Sequence, residues 1–120
     1  LFRGDPRSFE ADAMAAAEAN AMIDQGDEQA LPFGMRRFVY MPLMHSEALE
    51  DQDRCVDLHN AWCAELAGAT RSNAEYSASY AVQHRDIVAR FGRFPHRNDI
   101  LERRCTPEEL SFLKEPGSSF

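Results

Sequence analysis

The sequence predicts an all-α protein: four main helices joined as antiparallel hairpins, followed by short C-terminal helices. Three observations predict it. Apolar residues recur at intervals of three and four along most of the chain, the spacing that gathers them on one helix face. No stretch alternates with a period of two for long enough to make a strand. Helix start and stop signals lie close together, so the connecting loops are short and neighbouring helices must run antiparallel.

The first helix is expected from Phe9 through Ile23, with Asp5 as cap and Pro6 at the first helical position. It is rich in alanine, and Met14, Ala17, Ala21 and Met22 are expected on its packing side. Gly26 ends it. A second helical segment runs from Phe33 to Met44, interrupted by Pro42, with Phe38, Met41 and Leu43 as core and Arg36 and Arg37 in solvent. Ser46 caps the third, whose first turns carry Glu47, Glu50, Asp51 and Asp53; acids there complement the helix dipole. Its buried stripe is Leu49, Val56, His59, Trp62, Cys63 and Leu66, and Gly68 closes it. Ser72-Asn73-Ala74-Glu75 reads as a capping box opening the fourth helix. Tyr76, Tyr80, His84, Ile87, Val88 and Phe91 mark one face of that helix, so His84 points inward. Gly92 stops it. A very short helix is expected over Asn98–Arg103, and Thr106-Pro107-Glu108-Glu109 starts another, carrying Leu110, Phe112 and Leu113. The tail from Pro116 to Phe120 reads as loop, in which Phe120 needs a surface to rest on.

Size and composition narrow the function classes. At 120 residues, with 44% hydrophobic and 28% charged side chains, the chain (residues 1–120) suits a single helical domain with one modest core. A formal net charge of −7 argues against binding nucleic acid, which rests on phosphate neutralisation. No apolar run approaches the ~20 residues of a membrane span. Cys55, Cys63 and Cys105 form no C-x-x-C pair, and Cys55 and Cys63 would lie roughly 12 Å apart on a helix, too far to bridge. A reducing, cytoplasmic setting is expected. The chain begins at Leu1 rather than Met, which suggests the remnant of something longer or a processed product.

Two corners share an order of aromatic, proline, histidine and small capping residue: Phe38 to Ser46, and Phe91 to Asn98. If Glu47–Leu66 and Asn73–Phe91 form an antiparallel hairpin, both corners lie at one end of the protein. His84, about 10 Å back from Phe91 along its helix, approaches the same end. The neighbourhood so gathered is Tyr40, His45, Ser46, Glu47, His84, Arg93, Phe94, His96, Arg97 and Asn98. Between His84 and Arg104 six arginines stand against three acids. Arginine forks favour anions, so the expected partner is an anionic small molecule or an acidic peptide segment. Arg93 and Arg97 would make the charge contact, the histidines and Asn98 would orient it, and Tyr40 and Phe94 would form walls.

Three alternatives use the same residues. The arginines could instead pair with the acidic start of the third helix, leaving a purely structural polar network. His45 or His96 could act as a general base oriented by Glu47. His45, His84, His96 and Glu47 could ligate a metal, but their spacing matches no compact motif and the arginines disfavour a cation. No metal and no cofactor is expected.

The blocks Tyr40-Met41-Pro42-Leu43-Met44-His45-Ser46-Glu47, Tyr80-Ala81 with His84-Arg85-Asp86-Ile87, Arg90 through Asn98, and Thr106-Pro107-Glu108-Glu109 with Phe112-Leu113 together resemble a bacterial family. It is the one known as domain of unknown function 924. The resemblance implies an all-helical fold similar to tetratricopeptide-repeat proteins, with helices upstream that run into Leu1-Phe2-Arg3-Gly4. This chain is then expected to hold roughly the C-terminal two-thirds. Around Leu101-Glu102-Arg103-Arg104-Cys105 the family more usually has a glycine, and this sequence departs from it. The resemblance names no chemistry and carries over no catalytic residue.

Overall fold

The order of elements follows from where the chain can and cannot continue a helix. The computed structural model describes residues 5–120, apart from the side chain of Phe33; the segment Leu1–Gly4, where upstream helices are expected to join, lies outside the described residues. Five α-helices are present among the described residues, and no strand: α1 (Arg7–Gln25), α2 (Phe33–Met44), α3 (Leu49–Ala64), α4 (Gly68–Phe91) and α5 (Pro107–Phe112). Single 3₁₀ turns occupy Asp27–Ala30 and Pro95–Arg97. Consecutive helices α1 to α4 pack against one another, with α3 and α4 the most extensive pair, and α2 also touches α4. The Cα radius of gyration, 15.1 Å, exceeds the ~13.6 Å of a compact chain this long. The protein is drawn out along its helices, 42 Å by 27 Å by 25 Å.

Helix α1 is anchored at its start by Asp5, whose carboxylate accepts from the Arg7 N–H at 2.9 Å and from the Arg7 guanidinium. Its buried residues are Ala16, Ala19 and Ile23. Met14, Ala17, Ala21 and Met22 are all exposed, which corrects the expected face. In α2 the helix runs through Pro42 without a break. Its inner face is Tyr40, Leu43 and Met44, whereas Phe38 is 52% exposed and Met41 also faces outward. Arg36, expected in solvent, is only 6% exposed: it donates to Glu65 at 2.9 Å and to the Gln29 carbonyl.

Glu47 precedes α3 instead of lying in it, and Leu49 is exposed. Ser46 does organise this start. Its hydroxyl accepts from the Ala48 N–H at 3.1 Å and donates to Asp51 at 2.7 Å. The inner face of α3 is Gln52, Cys55, Val56, His59, Trp62 and Cys63. The polar Gln52 can be buried there because its amide donates to the carbonyls of Met44, the last residue of α2, and of Ser46 in the turn that follows, at 2.7 and 2.6 Å.

Gly68 opens α4 rather than closing α3; its φ is +64°. The helix therefore begins four residues before Ser72-Asn73-Ala74-Glu75, and those side chains act as interior ones. The Ser72 hydroxyl donates back to the Gly68 carbonyl and Glu75 pairs with Arg71. Tyr76 and Tyr80 are exposed, while Ala74, Ala81, His84, Ile87 and Val88 are buried. Gly92, at φ +71°, stops α4, and Phe94 is extended ahead of Pro95 as a residue before proline must be. No helix covers Asn98–Arg103; that stretch is a series of turns. At α5 the capping box forms in full, Thr106 and Glu109 each bonding the other's backbone N–H at 3.1 Å.

Two apolar clusters result. The larger, between α1 and α4, includes Tyr40, Leu43, Cys55, Trp62 and Ala81. The smaller joins the end of α4 to α5 through Ile87, Val88, Phe94 and Phe112. No helix of the described residues is long and apolar enough to cross a membrane.

Candidate functional site

Antiparallel packing carries the start of α1, the end of α2 and the end of α4 to one pole. A hollow of about 380 Å³ opens there, near the small end of the ~300–1,000 Å³ range of small-molecule sites. From the predicted set, His45, His84, Phe94, His96 and Arg97 line it. Phe9, Asp12, Ile100 and Phe120 complete the wall. Sequence reasoning missed these four. Only Phe120 carried a signal, an apolar side chain on a polar tail; Phe9 marked the expected start of the first helix, and nothing singled out Asp12.

The remaining predicted residues serve elsewhere. Tyr40 is fully buried between His59 and Trp62, with ring centroids 5.4 and 6.2 Å away. Ser46 is engaged at the start of α3, bonded to the Ala48 N–H and to Asp51. Glu47 accepts from the Phe94 N–H at 2.7 Å and from both terminal nitrogens of Arg103, at 2.9 and 3.0 Å. Burial alone would raise the Glu47 carboxyl, but the bonds from Arg103 and Phe94 hold it below its usual value. None of these bonds reaches a histidine. Arg93 turns away to Glu109 and the Arg104 carbonyl. Asn98 is buried, donating to Glu109 at 2.9 Å.

Arg97 is the cation of the hollow. It is 6% exposed, and its guanidinium lies between the rings of Phe9 and Phe94, 4.5 and 4.7 Å from their centroids. One terminal nitrogen donates to the His45 carbonyl at 2.9 Å. Asp12 stands 4.0 Å away, at the limit of an ion pair, and the Nε atom has no hydrogen-bond partner. Other arginines of this region are engaged: Arg103 by Glu47, Arg85 by Asp53 and Asp86, Arg93 by Glu109. The expected pairing with the acidic start of α3 is thus made by Arg103 and Arg85.

The three imidazoles are held neutral. Burial pushes each below the usual histidine value, His84 to about 4. His84 lies against His45 and Phe94, centroids 5.8 and 5.7 Å away. Its Nδ1 is 2.6 Å from the Tyr80 carbonyl. A carbonyl only accepts, so Nδ1 carries the proton and Nε2, on the side of the ring away from α4, bears the lone pair. That Nε2 is buried and has no partner, a situation costing about 1–3 kcal/mol. Across the face of His84 lies Phe120, ring centroids 3.7 Å apart and planes inclined by 20°.

Among the described residues no group of three or more His, Cys, Asp or Glu side chains is placed to hold a metal ion. Cys55, buried at 0% exposure, has its thiol pushed up to about 12 by burial, so it packs as a small core residue.

An all-helical protein with a small, histidine-lined hollow at one pole is thereby defined. The chain belongs to the DUF924 family, bacterial proteins of unknown function, whose model matches residues 1–117. It is also similar to a solved structure, the protein of unknown function ATU0120 from Agrobacterium tumefaciens, at 40% identity and a TM-score of 0.73. That likeness covers 95% of this chain and 58% of the other, so the chain spans little more than half of that protein's length. No curated protein matches the chain.

Proposed function

We propose that this chain is a helical binding module whose histidine- and arginine-bearing hollow takes the anionic group of a small molecule. One observation carries the reading: the guanidinium of Arg97 is buried in the wall with its nearest ion-pair partner at 4.0 Å and its Nε unbonded. A buried charge so loosely compensated is costly unless something completes it, and a carboxylate or phosphate matches the guanidinium fork. The neutral histidines add no competing charge. Glu47, the carboxylate that would orient a histidine base, is committed to Arg103 and Phe94, so binding is favoured over general acid–base catalysis. The short connections and paired helices support a tetratricopeptide-like stack, and three free thiols support a reducing cytoplasm.

The test is a thermal-shift panel of small carboxylates and phosphates on the wild type, Arg97→Gln and Arg93→Gln. At least one anion should raise the midpoint of the wild type and of Arg93→Gln and leave Arg97→Gln unmoved. Equal responses in Arg97→Gln, or none in the wild type, would sink the reading.

A further inference from the structure

At a second hollow, independent of the one at the pole, we propose that Ser77 and His59 form a nucleophile and its general base, acting on small activated carboxylic esters. Ser77 lies on α4 and His59 on α3, eighteen residues apart, and the Ser77 hydroxyl is 3.1 Å from His59 Nε2.

The tautomer follows from the other ring nitrogen. His59 Nδ1 is 2.9 Å from the Cys55 carbonyl. A carbonyl only accepts, so Nδ1 carries the proton and Nε2 turns its lone pair to the serine hydroxyl. The Cys55 thiol, 3.5 Å from Nδ1, donates instead to the Tyr40 carbonyl. The Ser77 hydroxyl therefore donates to the imidazole, the arrangement that activates a serine. Burial holds His59 below the usual histidine value, so the ring is neutral and able to take a proton. It is also held in place, 1% exposed, with the Tyr40 and Trp62 rings 5.4 and 6.0 Å from its centroid. Two other serines of α4 behave differently. Ser72 and Ser79 give their hydroxyls to carbonyls of their own helix, as helical serines commonly do. Ser77 gives its hydroxyl to a base on another helix.

Ser77 is partly exposed. It lines a hollow of about 390 Å³ at the seam of α2 and α4, walled by Met41, Met44, Tyr76 and Tyr80, which suits a short acyl chain or an aryl group. Asn73, one helical turn before Ser77, lines the same hollow and carries the kind of amide donor that stabilises a developing oxyanion. In the reaction Oγ bonds to the ester carbonyl carbon as its proton passes to Nε2. The bond to the leaving alcohol breaks, and that alcohol takes the proton. Water then adds to the acyl-serine and gives a proton to Nε2; the acyl–Oγ bond breaks, Oγ takes the proton back, and the free acid departs. The partner of Nδ1 is a carbonyl, which orients the ring but bears no charge to offset an imidazolium. Esters with good leaving groups are therefore the substrates that suit this pair.

The experiment gives 4-nitrophenyl acetate to wild type, Ser77→Ala, Ser79→Ala and His59→Gln, and in parallel a fluorophosphonate, which loses fluoride to an attacking serine oxygen. Wild type and Ser79→Ala should release 4-nitrophenolate faster than buffer and carry one phosphonyl group, located on Ser77 by peptide mass. Ser77→Ala should lose the label and about a hundredfold of the rate, the low end of what a positioned base contributes. His59→Gln should keep the hydroxyl yet lose the label; if its helical circular-dichroism signal is lost, the comparison of Ser77→Ala with Ser79→Ala decides alone. Label on another residue, or turnover that survives in Ser77→Ala, overturns the proposal. A wild type that neither labels nor exceeds buffer overturns it too, and the Ser77–His59 bond is then a contact holding α3 to α4. None of these outcomes bears on Arg97, so the two hollows are judged separately.

Discussion

Arg93 and Glu109, sixteen residues apart in the chain, meet edge to edge: Nη2 lies 2.7 Å from one carboxylate oxygen and Nε 3.0 Å from the other. The same carboxylate accepts from Asn98 and from the Thr106 N–H. One buried acid thus fixes α5, the turn after Pro95 and the end of α4. Replacing it as Glu109→Gln should cost roughly 2 kcal/mol, the worth of charge-assisted bonds lost at a buried acceptor, read as a lower urea midpoint.

Acid should expose the same linkage. Bonds from Arg93 hold the Glu109 carboxyl down at about 2, below its unfolded value. Its contribution is therefore complete above the unfolded carboxylate range and is lost as pH falls toward 2. Wild-type stability should decline through that window. Glu109→Gln should decline less, since it has no such proton to take up.

The imidazole at the centre of the hollow titrates the other way round from a paired histidine. Burial lowers His84 to about 4, so between that value and the unfolded ~6.5 the unfolded chain binds the extra proton. Stability should rise with pH across this range and level off above it. The full effect for His84 is roughly 3 kcal/mol. Urea melts at steps from pH 4 to pH 7 would check it, and a flat profile would contradict the buried neutral ring.

Gln52 should prove more sensitive than its helix position suggests. Gln52→Leu keeps the volume but strips the donors from the Met44 and Ser46 carbonyls. A loss of about 1–3 kcal/mol is expected, with amide exchange faster in the last turn of α2.

Glu102 is the described non-glycine residue at positive φ, +55°. It lies in the stretch where the family resemblance leads one to expect a glycine. Glu102→Gly relieves a side-chain clash worth ~1–2 kcal/mol against the ~0.5–1 kcal/mol entropy cost of glycine. A net gain of up to about 1 kcal/mol should follow, seen as a raised thermal midpoint. At Gly92 the converse change, Gly92→Ala, should lose about 1 kcal/mol.

What could be read from sequence was local or periodic. The Thr106 start was legible because its bonds all close within four residues. The inward direction of His84 followed from a stripe of neighbours three and four positions away. The misreadings occur where a distant partner decides. Ser72-Asn73-Ala74-Glu75 has the composition of a cap, but Gly68 starts α4 earlier and strands that signal inside the helix. Alanines occur all round α1, so their spacing does not single out the face of Ala16, Ala19 and Ile23 that is buried. Arg93 and Arg97 look equivalent in sequence; Glu109, supplied from α5, takes one and leaves the other to the hollow. Phe9 and Asp12 reach the wall through the crossing of α1, which no spacing encodes.

Glu47 and Arg103 close over a single peptide corner. Glu47 takes the Phe94 N–H, Arg103 gives to the Phe94 carbonyl at 3.2 Å, and the two side chains bond each other. The Phe94 N–H thus takes its partner from a remote segment, while its carbonyl is shared between Arg103 and the Arg97 N–H of the 3₁₀ turn. The consequence is a latch between two apolar masses of unequal size. When protons reach Glu47 and Glu109, the distal part around Phe94 and Phe112 should swing free while the larger body of α1 to α4 keeps its shape. Denaturation in acid should accordingly proceed in two stages, and ligand capacity should vanish with the first.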